Sequence, residues 1–269
     1  MNEKLPTPYP ELNNVLKDLV ESAKDILGNN FIGAYLQGSF AVGDFDAHSD
    51  VDFIIATETK LSNEQVNALQ PMHERIYNLD TYWAQHLEGS YFPKGILQNY
   101  SQRGEKLWYL DNGSRSLIQA DHCNTIIVRW VLRENGIILA GQPPTSLINS
   151  IPVEALRKEI YETVIGWGQE LIDNPVPFNN HFYQTYIVLN FCRMLHDLHT
   201  GYPGSKRAGA EWAKTHLDSS WVGLIDRAWS GRPTPEISVR QPADAKDFES
   251  TLKFVQYIIN KSKDFELSK

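Results

Sequence analysis

Apolar residues near the start of the chain recur every three or four positions, and the pattern then changes to short continuous runs. The first pattern predicts an amphipathic helix from Glu11 to about Ile26, ended by Gly28. Two apolar runs follow, Phe31 to Leu36 and Val51 to Ala56, the second rich in β-branched residues. Runs of this length and composition predict strands.

From Leu61 to Leu139 the sequence alternates between helical spacing, with apolar residues every three or four positions, and short apolar runs typical of strands. Helices are predicted over 62–78, despite Pro71, and over 124–134, and strands over 82–92, 107–110 and 137–139. We therefore expect an α/β domain over residues 1–150, with a mixed sheet and flanking helices.

Beyond the loop Gly141-Gln142-Pro143-Pro144 only helical periodicity is found. Helices are predicted over 153–172, 182–199, 204–216, 221–229 and 243–265. The sequence therefore predicts an all-α C-terminal bundle over residues 151–269. We expect this helical domain to close a cleft on the first domain, since clefts between domains commonly bind small ligands.

The composition is typical of a folded, soluble chain. The 269 residues are 42% hydrophobic and 22% charged. The first ten residues lack the basic and apolar segments of a signal peptide, and no apolar run is long enough to span a membrane. We expect a cytoplasmic monomer without membrane contact. The two cysteines, Cys123 and Cys192, are far apart in apolar contexts, which favours buried thiols over a disulfide or a metal site.

The charge of the chain is acidic and unevenly distributed. The net charge of −8 argues against general binding of nucleic acid, which needs a basic surface. The first 150 residues carry 18 acidic and 11 basic side chains. This excess suits metal ions or a cationic substrate, and it also suits an acidic surface that only maintains solubility.

The candidate chemistry begins with Gly38-Ser39, followed by Ser49-Asp50-Val51-Asp52 at the start of the second predicted strand. Side chains two apart on a strand share a face, so both carboxylates point the same way. Beside apolar neighbours the two carboxylates would repel each other strongly unless a cation lay between them. The cation usually bound by such a pair is Mg²⁺, which also binds nucleotide phosphates. Gly38 allows close approach to a phosphate, and Ser39 offers a hydroxyl and a backbone N–H at a predicted helix start. The alternative is a pair of strand-edge charges that face water.

The string from Leu36-Gln37-Gly38-Ser39 to Ser49-Asp50-Val51-Asp52-Phe53 resembles the signature of the DNA-polymerase-β-like nucleotidyltransferases. The resemblance implies that these aspartates bind Mg²⁺ and nucleotide. A third carboxylate is expected on a neighbouring strand, and Glu88 in the strand predicted over 82–92 is the candidate for the general base and a further metal ligand. His86, expected on the same face, is an alternative base.

The C-terminal half is similar to the aminoglycoside 3″- and 9-adenylyltransferases. The similarity lies in Arg193, in the segment from Thr200 to Ala208 and in Glu211-Trp212-Ala213, and Leu139-Ala140-Gly141 also fits. The resemblance implies that ATP is the co-substrate and that Arg193 and Lys206 bind its phosphates. It further implies nucleotide contacts by Gly38, Ser39, Ser49 and Trp229.

Two regions depart from the family pattern. The stretch expected to bind the acceptor, around Asn179 to Tyr186, has no carboxylate between Asp173 and Asp197, which leaves Asp173 and Tyr183 as candidate acceptor contacts. The segment from Phe92 to Cys123 also fits poorly. The nucleotide half of the reaction is therefore better supported by the sequence than the acceptor half.

The predicted function is ATP-dependent transfer of AMP to a hydroxyl of a small molecule, an aminoglycoside or aminocyclitol antibiotic of the streptomycin or spectinomycin type. One alternative is nucleotide transfer to a protein or RNA acceptor. Another is a ribonuclease of the toxin–antitoxin type, suggested by the Arg-x₅-His spacing of Arg193 and His199. A non-catalytic nucleotide-binding regulator is the fourth interpretation.

Overall fold

A computed structural model describes residues 5–46, 49–232 and 239–265. The chain divides into two compact units, Met1–Ile151 and Pro152–Lys269. Within the described ranges, no helix has the length and apolar composition needed to cross a bilayer.

The first unit is built on a six-stranded sheet. Its strands are β1 (Phe31–Leu36), β2 (Val51–Thr57), β3 (Leu87–Pro93), β4 (Leu107–Leu110), β5 (Leu117–Ala120) and β6 (Ile137–Gly141). Their order across the sheet is β5-β4-β3-β2-β1-β6. The β2 and β3 strands are parallel, and the other four neighbouring pairs are antiparallel. The sheet is therefore mixed, as predicted.

Five helices accompany this sheet. They are α1 (Pro10–Leu27), α2 (Gly38–Val42), α3 (Asn63–Tyr77), α4 (Lys94–Gln98) and α5 (Ile126–Asn135). The apolar stripe of α1, from Leu12 to Leu27, is buried and forms one core with side chains of α3 and the central strands. Helix α3 begins with a capping box between Ser62 and Gln65 and connects the parallel strands β2 and β3.

The structure differs from the sequence prediction in four places within this unit. Residues Tyr82–His86 form a 3₁₀ turn, so the third strand begins only at Leu87. The helix predicted over 124–134 begins at Ile126, because Thr125 caps it through the Val128 N–H. Strand β5 and the short helix α4 were not predicted, whereas α2 begins at Gly38, beside the helix start predicted at Ser39.

The second unit is helical throughout its described residues. Its helices are α6 (Val153–Asp173), α7 (His181–Thr200), α8 (Lys206–His216), α9 (Val222–Ser230) and α10 (Ala245–Ser262). Helix α7 contacts the other four, and most of its side chains from Gln184 to Leu198 are buried. The predicted fold class, an α/β unit followed by helices, is confirmed.

Candidate active site

Three carboxylates converge where the parallel strands β2 and β3 begin. Asp52 and Glu88 are each the second residue of their strand and lie directly opposite each other in the register. Asp50 immediately precedes β2. One carboxylate oxygen from each of Asp50, Asp52 and Glu88 lies within 4.8 Å of the others, and all three residues are partly buried.

The backbone of Gly38 packs directly against this cluster. A Cβ atom on Gly38 would overlap the Asp52 carboxylate, and the φ of +58° is one that other residues rarely adopt. The neighbouring Gln37 N–H donates to the Asp52 carbonyl oxygen at 2.9 Å. These contacts fix the start of α2 beside the carboxylates, and position 38 requires glycine.

The two serines predicted to contact nucleotide differ in their surroundings. The Ser39 hydroxyl is buried and has no hydrogen-bond partner among the described residues. The Ser49 hydroxyl accepts a hydrogen bond from the Asp46 N–H at 2.9 Å, and the Ser49 N–H donates to the Asp46 carbonyl at 3.1 Å. Ser49 therefore closes the turn that leads into β2, whereas Ser39 retains an unused donor beside Gly38.

The donor set of the cluster fits a divalent cation. Three carboxylates this close together in a partly buried position repel one another, and a cation between them removes the repulsion. Carboxylate oxygens are the ligands that Mg²⁺ takes from proteins, usually together with substrate phosphates and waters. Gly38 has no side chain beside the Asp52 carboxylate, and the buried Ser39 hydroxyl has no hydrogen-bond partner among the described residues. Both features fit a phosphate group beside the ion.

Glu88 is surrounded by polar groups from the segment that fits the family pattern poorly. The Tyr109 hydroxyl lies 2.7 Å from Glu88 Oε1 and 3.0 Å from Asp111 Oδ1. His122 Nε2 lies 3.3 Å from the same Glu88 oxygen. The Glu88 side chain is 12% exposed and that of His122 is 62% exposed, so the imidazole connects the carboxylate to the surface.

The electrostatics of this group follow from burial and charge. Burial, followed by the nearby carboxylates of Glu88 and Asp111, raises the pKa of Tyr109 far above its ordinary value, so Tyr109 remains a neutral hydrogen-bond donor. The hydrogen bond to Glu88 raises the pKa of His122 against the opposing effect of desolvation. Sequence reasoning missed Tyr109, Asp111 and His122. The period-two spacing of Tyr109 and Asp111 at a predicted strand was the available signal for the first two.

The structure corrects the placement of His86. This residue belongs to the 3₁₀ turn before β3 and not to the strand that carries Glu88. Its ring stacks on Tyr82 with centroids 4.0 Å apart, and its Nδ1 lies 3.0 Å from Asn112 Oδ1. The expectation that His86 shares the face of Glu88 by strand periodicity was wrong, because the segment is not a strand.

Within the helical unit, the two predicted phosphate-binding cations lie on neighbouring helices. Arg193 on α7 donates through Nη2 to Asn190 Oδ1 at 2.7 Å. The Lys206 ammonium, at the first position of α8, lies 5.1 Å from the centre of the Tyr186 ring. A Cβ atom on Gly209 would overlap the backbone of Arg193, so this glycine permits α8 to approach α7 closely.

The remaining candidates also lie in the helical unit. Two guanidinium groups lie near the Trp229 ring, that of Arg207 at 5.4 Å and that of Arg232 at 4.2 Å from its centre. Tyr183 belongs to an aromatic cluster with Phe178, Phe182 and Tyr186 at the start of α7. Asp173, at the end of α6, is exposed and accepts a hydrogen bond from Gln169.

Comparison with known proteins supports the architecture and the family. Residues 146–259 match the family model "Aminoglycoside adenylyltransferase, C-terminal domain". A spectinomycin 9-adenylyltransferase of Staphylococcus aureus is 25% identical over 217 residues, which cover 77% of this chain and 80% of that protein. A spectinomycin 9-adenylyltransferase of Enterococcus faecalis is 24% identical over 206 residues, covering 72% and 74% of the two chains.

The fold itself has a solved counterpart. A crystal structure of an enterococcal spectinomycin adenyltransferase with ATP and spectinomycin superimposes with a TM-score of 0.66. The two chains are 15% identical, and the match covers 93% of this chain and 98% of the other. This likeness shows that the chain has the fold of that enzyme. The C-terminal family match and the curated relatives identify the chain as an aminoglycoside-adenylyltransferase-like nucleotidyltransferase.

Proposed function

We propose that this enzyme transfers AMP from ATP to a hydroxyl of an aminocyclitol or aminoglycoside, and that spectinomycin is the first acceptor to test. The observation that carries the proposal is the cluster of Asp50, Asp52 and Glu88 beside Gly38. The curated relatives are named for adenylylation of spectinomycin, and the structural counterpart contains ATP and spectinomycin. Streptomycin is the second acceptor in the proposal.

In this reaction the acceptor hydroxyl oxygen forms a bond to the α-phosphorus of ATP. The bond from that phosphorus to the bridging oxygen of the β-phosphate breaks, and pyrophosphate leaves. Glu88 takes the hydroxyl proton as the new bond forms, and its position beside Asp52 brings the base to the same strand edge as the nucleotide.

Asp50 and Asp52, together with Glu88, are proposed to hold Mg²⁺. When bound, the ion offsets the charge of the phosphates and polarises the α-phosphoryl group. Gly38 leaves room for a phosphate oxygen, and the Ser39 hydroxyl and the Ser49 region are proposed to contact the nucleotide. Arg193 and Lys206 are proposed to bind the departing phosphates, with Trp229 as an aromatic contact of the nucleotide.

The acceptor is proposed to bind through polar and aromatic groups of the helical unit, including Tyr183 and Asp173. Residues 174–196 contain no carboxylate, so cationic groups of an acceptor would meet amides, phenols and hydroxyls there. An exposed ion pair with Asp173 would contribute roughly 0–1 kcal/mol. We therefore expect modest affinity for the acceptor alone and tighter binding once nucleotide is present.

The test is incubation of the full-length protein with Mg²⁺ and ATP and with spectinomycin or streptomycin in separate reactions. The expected result is an acceptor mass increased by one AMP moiety and stoichiometric release of pyrophosphate. Asp52→Asn should lose this activity, while Asp25→Asn, which removes an equal charge from the exposed face of α1, should retain it. Transfer of AMP to protein or RNA, but to neither antibiotic, would overturn the proposed acceptor class.

A further inference from the structure

The Tyr109 hydroxyl lies between two carboxylates and can donate its single proton to only one of them at a time. Its oxygen is 2.7 Å from Glu88 and 3.0 Å from Asp111. Tyr109 is 4% exposed, so its hydroxyl is a buried donor beside Glu88. The shorter distance is the one to Glu88.

The register of the sheet explains why a tyrosine lies here. In the antiparallel pair of β3 and β4, Tyr109 is opposite Ser90, which makes Glu88 its diagonal neighbour on the same face. Continuing that register by one residue brings Asp111 opposite Glu88. Like charges directly opposite each other destabilise a sheet, and a neutral hydroxyl shared between them reduces the repulsion.

The carboxylate of a glutamate rotates easily about its last side-chain bond, because such torsions have broad minima. Two contacts reach the same oxygen of Glu88, one from Tyr109 and one from His122. The Tyr109 contact is the shorter and comes from the buried side of the strand pair. It therefore stabilises one orientation of the Glu88 carboxylate.

We propose that Tyr109 is a positioning residue for the reaction and acts by holding the Glu88 carboxylate in the orientation in which it accepts the proton of the acceptor hydroxyl. This inference rests on the proposed function, in which Glu88 is the general base. It assigns a role to the segment from Phe92 to Cys123, the part of the chain for which the family resemblance offers none. Misplacement of a reacting group by a fraction of an ångström to one ångström costs one to two orders of magnitude in rate.

The first experiment compares Tyr109→Phe with Tyr35→Phe in the full-length protein. Tyr35 is a matched control, since its buried hydroxyl also makes one short hydrogen bond in the same sheet, at 2.7 Å to the Gln142 carbonyl. We expect kcat for AMP transfer to fall about 10-fold in Tyr109→Phe, with KM for ATP changed less than twofold. Tyr35→Phe should keep the parental kcat.

The second experiment places Tyr109→Phe in a Glu88→Gln background. If Tyr109 acts through Glu88, the double variant should have nearly the kcat of Glu88→Gln alone, since the oriented group is already gone. The nucleotide-free proteins provide a readout independent of activity. The shift of the urea midpoint in this double variant should differ from the sum of the single shifts, while Tyr35→Phe with Glu88→Gln should be additive.

The outcomes separate failure of the inference from failure of the proposed function. A parental kcat in Tyr109→Phe, or losses that multiply in the double variant, would overturn the positioning role while Glu88 remained the base. A parental kcat in Glu88→Gln would overturn the assignment of the base and the positioning role with it.

Discussion

The end of the sheet where β2 and β3 begin (the strand edge) and the α7–α8 segment hold the residues proposed to contact nucleotide in different ways. At the strand edge, Asp52 and Glu88 are short side chains whose separation is set by backbone register. In the helical unit, Arg193 and Lys206 are long side chains, and their charged ends contact Asn190 and the Tyr186 ring. Both regions include a glycine, Gly38 or Gly209, on which a side chain would overlap the functional neighbour.

This difference indicates that the positions of the carboxylates are set by the fold, whereas the positions of the two cationic groups can change when a ligand binds. The register of the strands fixes where the backbones of Asp52 and Glu88 lie, so the separation of these two residues is set before any ligand arrives. An ammonium on a four-carbon stem can change its direction by rotation alone. We therefore expect substitutions at the strand edge to affect the chemical step, and substitutions of the helical cations to affect ATP binding.

The largest effect is expected for Asp50→Asn and Asp52→Asn. Each removes a formal charge that would offset a divalent ion, so kcat/KM should fall on the order of 10³-fold or more. Calorimetric titration with Mg²⁺ and ATP should show weakened binding in both variants. Parental binding and turnover in either variant would mean that the carboxylate is not a metal ligand.

A second prediction separates two effects of replacing a glycine near the strand edge: contact of the new methyl group with Asp52, and strain of the backbone at positive φ. Gly38→Ala places a methyl group against the Asp52 carboxylate, whereas Gly43→Ala has a similarly positive φ of +74° but open space around it. Both variants should lose roughly 1 kcal/mol or more of stability. Only Gly38→Ala should also lower kcat, by about 10²-fold.

Equal loss of kcat in Gly38→Ala and Gly43→Ala, measured at saturating ATP after the folded fraction is determined by circular dichroism, would refute this prediction. In that case the backbone conformation of α2, and not the space at Asp52, would control the rate.

A third prediction concerns the buried contact between helix α3 and strand β3. His73 on α3 is buried with its Nε2 2.8 Å from the Tyr91 hydroxyl, and burial lowers the pKa of His73 to about 3. The unfolded chain binds this proton below about pH 6.5, whereas the folded chain does not. The stability contribution of neutral His73 is therefore complete above that pH and is lost as the pH falls toward 3.

Between pH 7 and pH 5 this single group should lower the free energy of unfolding by about 2 kcal/mol. His73→Gln keeps a polar group near Tyr91 but does not titrate, so its stability should fall less over the same interval. Urea unfolding at the two pH values measures the difference. Identical pH dependence in the two proteins would show that His73 becomes protonated in the folded state.

The smallest effect is expected in the helical unit. Lys206→Gln should raise KM for ATP about 10-fold with a smaller change in kcat, because it removes one phosphate contact of an adaptable side chain. Lys214→Gln, on the same helix and paired with Glu211 and Asp226, is the control and should keep the parental constants. A loss confined to kcat would place Lys206 at the reacting phosphorus instead.

Much of this architecture could be predicted from the sequence because the periodicities are strong. The stripe of α1 and the β-branched run of β2 correspond to buried faces. The pair Asp50 and Asp52 was identified from its spacing together with the Gly38-Ser39 segment upstream. Helix α4 was missed because its five residues are too few for a periodic pattern. Strand β5 lies at the edge of the sheet, where Leu117 is buried and Ile118 and Gln119 are exposed, so its four residues show no alternation of apolar and polar positions.

The surroundings of Glu88 could not be predicted in the same way. Its contacts with Tyr109 and His122 depend on the register between β3 and β4 and on the course of the chain after β5. Neither is encoded in the spacing of apolar residues. For the same reason, the 3₁₀ turn at His86 was read as the beginning of a strand.

The parallel pairing of β2 with β3 has a consequence for how the enzyme is made. Asp52 and Glu88 become neighbours only after α3 has carried the chain back along the sheet, so no hairpin or local fragment contains both carboxylates. Pairings that close such long loops form slowly, since chain entropy must be lost before the contact is gained. During synthesis, the cluster of Asp50, Asp52 and Glu88 can therefore form only after β3 and the chain that covers it have left the ribosome.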